Sequence, residues 1–451
     1  MKDTNRGSFG SKFGIIAAAA GSAIGLGNIW RFPYVAGENG GGAFLIIYLA
    51  IVLVIGFPMM LAEFSIGRYT KRNVFGAFKA LKPRSGWPLV GILGVVTPFV
   101  IVIFYSVVSG WTTSFLWNSI AGHFRGLSSE EVKAGFDAFV ASGWKPVLWA
   151  IGFVAVTGTI VIAGVEKGIE RYSKILMPVM LLILLVMGVY SMTLPGFGEG
   201  MRFLFKPDFS KINGTVLLEA LGQAFFSLSL GMGIMITYGS YIKDKDNMGT
   251  TVGAVALSDT LIAILAGVAI FPAVFSFGIS PTSGPNLVFI TLPALFQQMA
   301  GGYVLSILFF ALLLIAALTS AVSITEVLVA YCSEEFKISR RRAGIIVSAV
   351  VMVMASICAV SQMPDSSLRV AGLNLFDLFD TVSATYMLPV GAFFITIFAG
   401  WVFGKERFRG QVTSGGLYNT AIYPVVLFIV RFVAPVVIAL IFLSKAGLLK
   451  F

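Results

Sequence analysis

The chain has 451 residues, 57% of them hydrophobic and 12% charged, with a formal net charge of +11. Soluble globular domains carry about a quarter charged residues, so this composition excludes them and describes a polytopic helical membrane protein; the alternating segments of a membrane barrel, about ten residues each, are absent. The positive balance suits basic cytoplasmic loops and gives no reason to invoke nucleic acid.

Residues 1–12 are polar, carry no cleavable signal pattern and are read as a cytoplasmic N-terminal segment. A spanning helix needs about 20 apolar residues. By that rule eleven spans are predicted, near 13–36, 42–70, 88–121, 145–164, 169–194, 215–241, 249–278, 299–332, 341–361, 376–402 and 418–444, in one membrane domain covering 13–445. The third and eighth are long enough to tilt strongly. The second contains Pro58 and Glu63. A carboxylate at membrane depth is functional by default; this one is read as a buried acceptor for backbone freed where helices break. In the fifth span Gly168 and Pro178 flank nine residues, after a polar start at Glu166–Arg171 that makes the cytoplasmic end easy to unwind. An ordinary proline kink fits that pair equally well. Residues 277–296 read as an outside loop with a short re-entrant or interfacial helix. Cys332 and Cys358 have no metal or redox spacing and read as packing residues. His123 reads as an incidental loop residue.

Basic residues set the orientation. Arg68, Lys71, Arg72, Lys79, Lys82 and Arg84 follow the second span, and Lys167, Arg171 and Lys174 the fourth. Lys243 and Lys245 follow the sixth, Lys337 and Arg340, Arg341 and Arg342 the eighth, and Lys405, Arg407 and Arg409 the tenth. These loops share one side, which the positive-inside rule makes the cytoplasm. The expected location is the cell's inner (plasma) membrane, with the N-terminus cytoplasmic and, after an odd number of spans, the C-terminus outside.

Function turns on the middle of the first span, Gly21-Ser22-Ala23-Ile24-Gly25-Leu26-Gly27-Asn28. Its glycines are poor material for a helix interior, so the helix is predicted to open near Ala23–Gly27. Backbone groups freed at that depth cost several kcal/mol each unless satisfied. A bound cation satisfies the carbonyls, and a bound anionic group satisfies the N–H groups of the following half-helix. A small-residue packing face between helices fits the same spacing. The sixth span tips the balance, because Leu230-Gly231-Met232-Gly233 repeats the pattern of Ile24-Gly25-Leu26-Gly27. Two glycine-interrupted spans in corresponding places of two halves point to a transporter's binding site.

With Gly25-Leu26-Gly27-Asn28-Ile29-Trp30-Arg31-Phe32-Pro33, Glu38-Asn39-Gly40-Gly41-Gly42-Ala43-Phe44, Lys167-Gly168-Ile169-Glu170-Arg171, Gly222-Gln223-Ala224-Phe225-Phe226-Ser227-Leu228-Ser229-Leu230-Gly231 and Phe289-Ile290-Thr291-Leu292-Pro293 in order, the chain resembles the neurotransmitter:sodium symporters, most of all their bacterial eleven-helix amino-acid members. The resemblance covers nearly the whole chain. It implies an all-α membrane fold of two five-helix inverted repeats (13–194 and 215–402) with broken first and sixth helices, an eleventh helix at 418–444, and alternating access around a midplane site.

Carried over residue by residue, the resemblance implies a substrate site at Ser22, Ala23, Gly25, Leu26, Gly27, Ile101, Tyr105, Phe226, Ser227, Ser229, Met232, Ser320 and Ile324. The N–H groups of Leu26 and Gly27 would hold a carboxylate at the positive end of a half-helix. Monoamine members carry Asp where this chain has Gly25, so the substrate is expected to bring its own carboxylate. Sodium site one would comprise Ala23, Asn28, Ser227 and Asp259; a one-residue shift of the seventh span would put Ser258 in the place of Asp259. Sodium site two would comprise Gly21, Ile24, Ala316, Thr319 and Ser320. Oxygen ligands suit a hard cation, although Thr319 and Ser320 on their own read sooner as hydroxyls bonding back to the preceding turn. The outer gate would pair Arg31 with Asp380 (Asp377 being the other candidate), helped by Gln223. The inner gate would pair Arg6 with Glu334 near Tyr241, with Phe9 packing below. Gly168 and Pro178 would be the hinge of the fifth span.

The expected function is symport of neutral hydrophobic L-amino acids with two sodium ions and no chloride requirement, since Ala263 stands where chloride-dependent relatives place a hydroxyl. A small zwitterionic osmolyte such as a betaine is the alternative substrate. An intramembrane enzyme is not expected, because no nucleophile–base pair or metal cluster is visible in the spans. Two separately broken helices also suit an occluded site better than a channel filter.

Overall fold

The computed structural model describes residues 7–278, 287–418, 421–445 and 447–449. Among them, nine helices are long and apolar enough to cross a bilayer uninterrupted. They are the second span (Gly42–Thr70), third (Trp87–Ile120), fourth (Trp144–Ile162), fifth (Val165–Ser191), seventh (Met248–Ser276), eighth (Gly302–Glu335), ninth (Arg340–Val360), tenth (Leu375–Val402) and eleventh (Tyr423–Ser444). The first span is broken: Lys12–Ala23 and Gly27–Glu38 meet at 50°. The sixth is broken too, with Gly214–Ser227 followed by Ile234–Gly239. In the loop before the eighth span, Leu292–Gln297 is helical; residues 279–286 of that loop lie outside the described residues.

Local chemistry explains both breaks. At the first, Ile24 leaves the helical region (φ −84°, ψ 95°), and a Cβ on Gly25 would lie 2.3 Å from Ser320 Oγ. Only glycine lets the eighth span approach the open backbone so closely. At the second, Ser229, Gly231 and Gly233 take φ of +53°, +80° and +74°. A Cβ on Gly231 would also lie 2.6 Å from Leu388 O. The Gly231 N–H freed there donates to Glu63 Oε1 at 2.8 Å, so the buried carboxylate of the second span accepts from unwound backbone.

The third span packs along the eighth and the fourth along the ninth, pairings five spans apart. The first half of the first span packs on the fifth, seventh and eighth. The unwound residues of the first and sixth spans are therefore held against a wall made by the third and eighth.

Candidate functional site

The two breaks touch. Ser229 Oγ donates to Ser22 O at 3.1 Å, and Ser22 Oγ lies 3.4 Å from Ser229 Oγ. Between them and the third and eighth spans is a cleft of about 360 Å³ not filled by protein atoms, open solvent included. It is lined by Ser22, Ala23, Gly25, Leu26, Gly27, Ile101, Tyr105, Phe226, Ser229, Met232, Ser320 and Ile324. The thirteenth residue expected there, Ser227, is not in the lining; its hydroxyl turns to Asp259. Ile101 and Tyr105 come from one face of the third span, and Ser320 and Ile324 from one face of the eighth, each pair one helical turn apart. At the polar end, Leu26 N–H donates to Tyr105 Oη at 3.5 Å and Ser320 Oγ donates to Ser22 O at 3.1 Å. The half-helix Gly27–Glu38 begins at this point, with its positive end toward the cleft. Ile101, Phe226, Met232 and Ile324 give the cleft an apolar side.

Beside the cleft lies a buried polar cluster. Asp259 Oδ1 accepts from Asn28 Nδ2 at 2.8 Å and from Ser227 Oγ at 2.6 Å, and Oδ2 accepts from Tyr48 Oη at 2.9 Å. Asp259 and Asn28 are fully buried. The seventh span thus turns Asp259 inward, leaving Ser258 half-buried on another face. Among the described residues, no basic side chain forms an ion pair with Asp259. A buried carboxylate answered only by neutral donors is costly, and its oxygens with those of Asn28 and Ser227 suit a hard monovalent cation. Ala263, one turn further on, is buried and offers no donor.

A second oxygen cluster joins the first span to the eighth. Ser320 Oγ lies 3.4 Å from Gly21 O. Thr319 Oγ1 donates to Ala316 O and Ile315 O, both at 3.1 Å, the back-bonding expected of a threonine in an apolar helix. A Cβ on Gly21 would lie 3.2 Å from Thr319 Cβ, so Gly21, Ala316, Thr319 and Ser320 come together. Ile24 ends the half-helix three residues after Gly21, its N–H donating to Ala20 O at 2.7 Å.

The expected outer gate has a different acid beside its arginine. Arg31 lies over the Phe226 ring at 5.1 Å, and its ion pair runs to Glu219 at 3.9 Å rather than to Asp380. The reason is local: Glu219 sits one turn before Gln223 on the first half of the sixth span. Gln223 Nε2 donates to Gly27 O at 2.8 Å, which clamps the two broken spans together. On the other side Arg6 lies outside the described residues. Glu334 accepts from Asn73 N and Nδ2 at 2.9 and 2.8 Å, because Asn73 caps the short helix Val74–Leu81 beneath it. The acid bonded to Tyr241 is Glu326, eight residues earlier. Arg340 donates to both Glu326 oxygens and to Val161 O. Phe9 packs edge-on against Tyr238 and Tyr241. The fifth span is wound through both Gly168 and Pro178. Its Glu170 accepts from Gly10 N at 2.6 Å and from Ser11 Oγ at 2.9 Å, tying the N-terminal segment to the fifth span.

Sequence reasoning missed Tyr48, Glu219, Glu326, Arg340 and Glu170 as site residues. Glu326 carries a readable signal, a carboxylate inside an apolar span, by the same logic that singled out Glu63.

Comparison with known proteins identifies the family. The family model described as the sodium:neurotransmitter symporter family matches residues 6–130 and 144–450. A sodium-dependent transporter of Bacillus subtilis (strain 168), YhdH, is 37% identical over 441 residues, covering 98% of each chain. A sodium-dependent transporter of Haemophilus influenzae is 35% identical over 453 residues, again covering 98% of each. Among solved structures, MhsT in complex with L-phenylalanine superposes with a TM-score of 0.89 at 42% identity, over 98% of this chain and 100% of that one.

Proposed function

Because the chain belongs to the sodium:neurotransmitter symporter family, we propose that this sodium-coupled membrane transporter imports a neutral, hydrophobic L-amino acid by alternating access about the cleft between its two broken spans. The observation that carries the substrate class is the cleft's division into two ends. Backbone N–H groups at Leu26 and Gly27 with Tyr105 Oη suit a carboxylate. The unwound carbonyls near Ala23 and Phe226, with Ser229, suit an ammonium group. Ile101, Phe226, Met232 and Ile324 suit an apolar side chain. Gly25 brings no acid of its own, so the substrate supplies the carboxylate. The phenylalanine held by MhsT supports the same reading.

Two sodium ions would accompany the substrate, one at Ala23, Asn28, Ser227 and Asp259, the other at Gly21, Ile24, Ala316, Thr319 and Ser320. Ala23 belongs to both the first set and the cleft. Sodium and substrate would therefore order the same broken backbone, and each would lower the ordering cost of the other's binding, which is coupling in thermodynamic terms. Asp259 would supply the negative charge that chloride supplies elsewhere. The outer gate would close through Arg31 over Phe226. The inner gate would close through Phe9, Tyr241, Glu326 and Arg340 on the cytoplasmic side, where the basic loops and the N-terminus lie.

Uptake into proteoliposomes across an amino-acid panel, with and without an inward sodium gradient, tests this. Trp, Phe, Tyr, Leu, Ile and Met are expected to compete for one sodium-dependent site. Equal uptake in potassium or choline media overturns the coupling. Preference for glycine, a charged amino acid or betaine overturns the substrate class.

A further inference from the structure

The third and eighth spans each carry two adjacent stripes. Ile101, Tyr105, Ser320 and Ile324 face the cleft. The residue after each, Val102, Ser106, Ala321 and Thr325, faces a second cavity that the fourth and ninth spans close from behind. Hydroxyls line it. Those of Ser106 and Thr157 donate to Val102 O at 2.6 Å and Phe153 O at 3.0 Å, so their oxygens remain as acceptors only. Ser348 enters from the ninth span, 8% exposed, and among the described residues its Oγ has no partner. It reaches the cavity because the fourth span offers Gly158 there: a Cβ on Gly158 would lie 2.2 Å from Ser348 Oγ. The space not filled by protein atoms is about 220 Å³, open solvent included, more than the roughly 30 Å³ that one water takes in the liquid.

We propose that this cavity holds a single water and acts as an expansion chamber behind the substrate wall, so that Ser348 and Gly158 set how large a side chain the cleft admits. The proposal rests on the reading of the cleft as a hydrophobic amino-acid site. A water there donates to Ser106 and Thr157 and accepts from Ser348 and from Thr325, whose hydroxyl also lines the cavity. A cation is disfavoured because none of the lining side chains is acidic and an uncompensated charge at that depth is costly. The link to specificity is mechanical. Protein interiors are packed like organic crystals, so a wall yields only where space lies behind it. A bulky substrate presses on Ile101 and Ile324, and one residue further round the same two helices is that space.

The test uses full-length protein in proteoliposomes and reads inhibition of labelled leucine uptake by unlabelled Trp and Leu. Ser348→Val and Gly158→Ala fill the cavity, and each is expected to raise the Trp:Leu ratio of inhibition constants about tenfold, the low end for a methyl-sized change in a pocket. Val351→Ala, which enlarges the same cavity, is expected to lower that ratio. Opposite signs in filling and enlarging variants do not arise from general damage, and the ratio is read only from protein that transports. An unchanged ratio in all three variants, or a shift of one sign in all three, overturns the proposal. So does a high-resolution structure without a water bonded to Ser348 Oγ. Failure of leucine to be taken up by the unmodified protein is a separate result that overturns the substrate reading instead.

Discussion

Asp259→Asn isolates the charge in the proposed sodium cluster from its shape. Asparagine fits the same space. Its oxygen can keep the bonds from Asn28 Nδ2 and Ser227 Oγ, now 2.8 and 2.6 Å, and its amide nitrogen takes the place of Oδ2, facing Tyr48 Oη at 2.9 Å. Tyr48 must then rotate to accept, a small change. What disappears is a full negative charge beside the ion proposed to bind there. Two unit charges about 4 Å apart at an effective dielectric near 20 attract by about 4 kcal/mol. Three neutral donors already stabilise the carboxylate without the ion, so roughly half of that attraction is the lower bound. The expected loss is between about 2 and 4 kcal/mol, or about 30- to 1,000-fold in sodium affinity. The assay is sodium titration of labelled-substrate binding to purified protein, in chloride and in gluconate. Unmodified protein should give one midpoint in both media, and Asp259→Asn a midpoint raised at least about thirtyfold. A shift under about threefold would refute the charge argument. Loss of binding by the unmodified protein in gluconate would refute the claim that Asp259 replaces chloride.

Pro178→Ala should slow sodium release and turnover while leaving substrate affinity within about twofold, since proline's missing donor leaves the helix one hydrogen bond fewer to break when it unwinds; stopped-flow efflux against equilibrium binding separates the two, and an unchanged turnover counts against the hinge. Met232→Phe should cut Trp binding more than Leu binding, because an unbranched thioether adapts to the ligand and a ring does not; equal losses for both would sink this. Glu326→Gln leaves the Arg340 guanidinium, half of a pair now closed on both oxygens, without its counter-charge. Removing one partner of a buried pair costs about 3–5 kcal/mol and less than that here, because Arg340 is 28% exposed; thermal stability in detergent should fall and cytoplasmic accessibility of a reporter cysteine in sodium buffer should rise. No change in either would show that the pair does not hold the inner gate.

How much of this is legible in the chain depends on how local each cause is. Span positions follow from lipid's demand for about 20 apolar residues, which operates on any fold. The breaks are legible because Gly231 and Gly233 take positive φ, a need local to their own backbone; Gly25 marks its break as plainly, although the neighbour that requires it, Ser320, lies in the eighth span. The cleft lining is legible only through the resemblance, because nothing in the third span by itself marks Ile101 as facing Ile324. Polar partners between distant segments are the least legible. Tyr48 reads as one aromatic in an apolar run until packing places its hydroxyl on Asp259. Arg340 reads as one of a cluster of basic loop residues, and only the packing of the ninth span on the fourth brings it to Val161 O and Glu326. Arg31 makes the point most sharply. Its place beside the cleft follows from the motif around Trp30 and Phe32, but which acid it meets depends on a fraction of a turn in the sixth span. There Glu219 stands above the Gln223 that clamps Gly27. A motif specifies that a charge is present, whereas its partner is chosen by helix rotation, and rotation is set by the whole bundle.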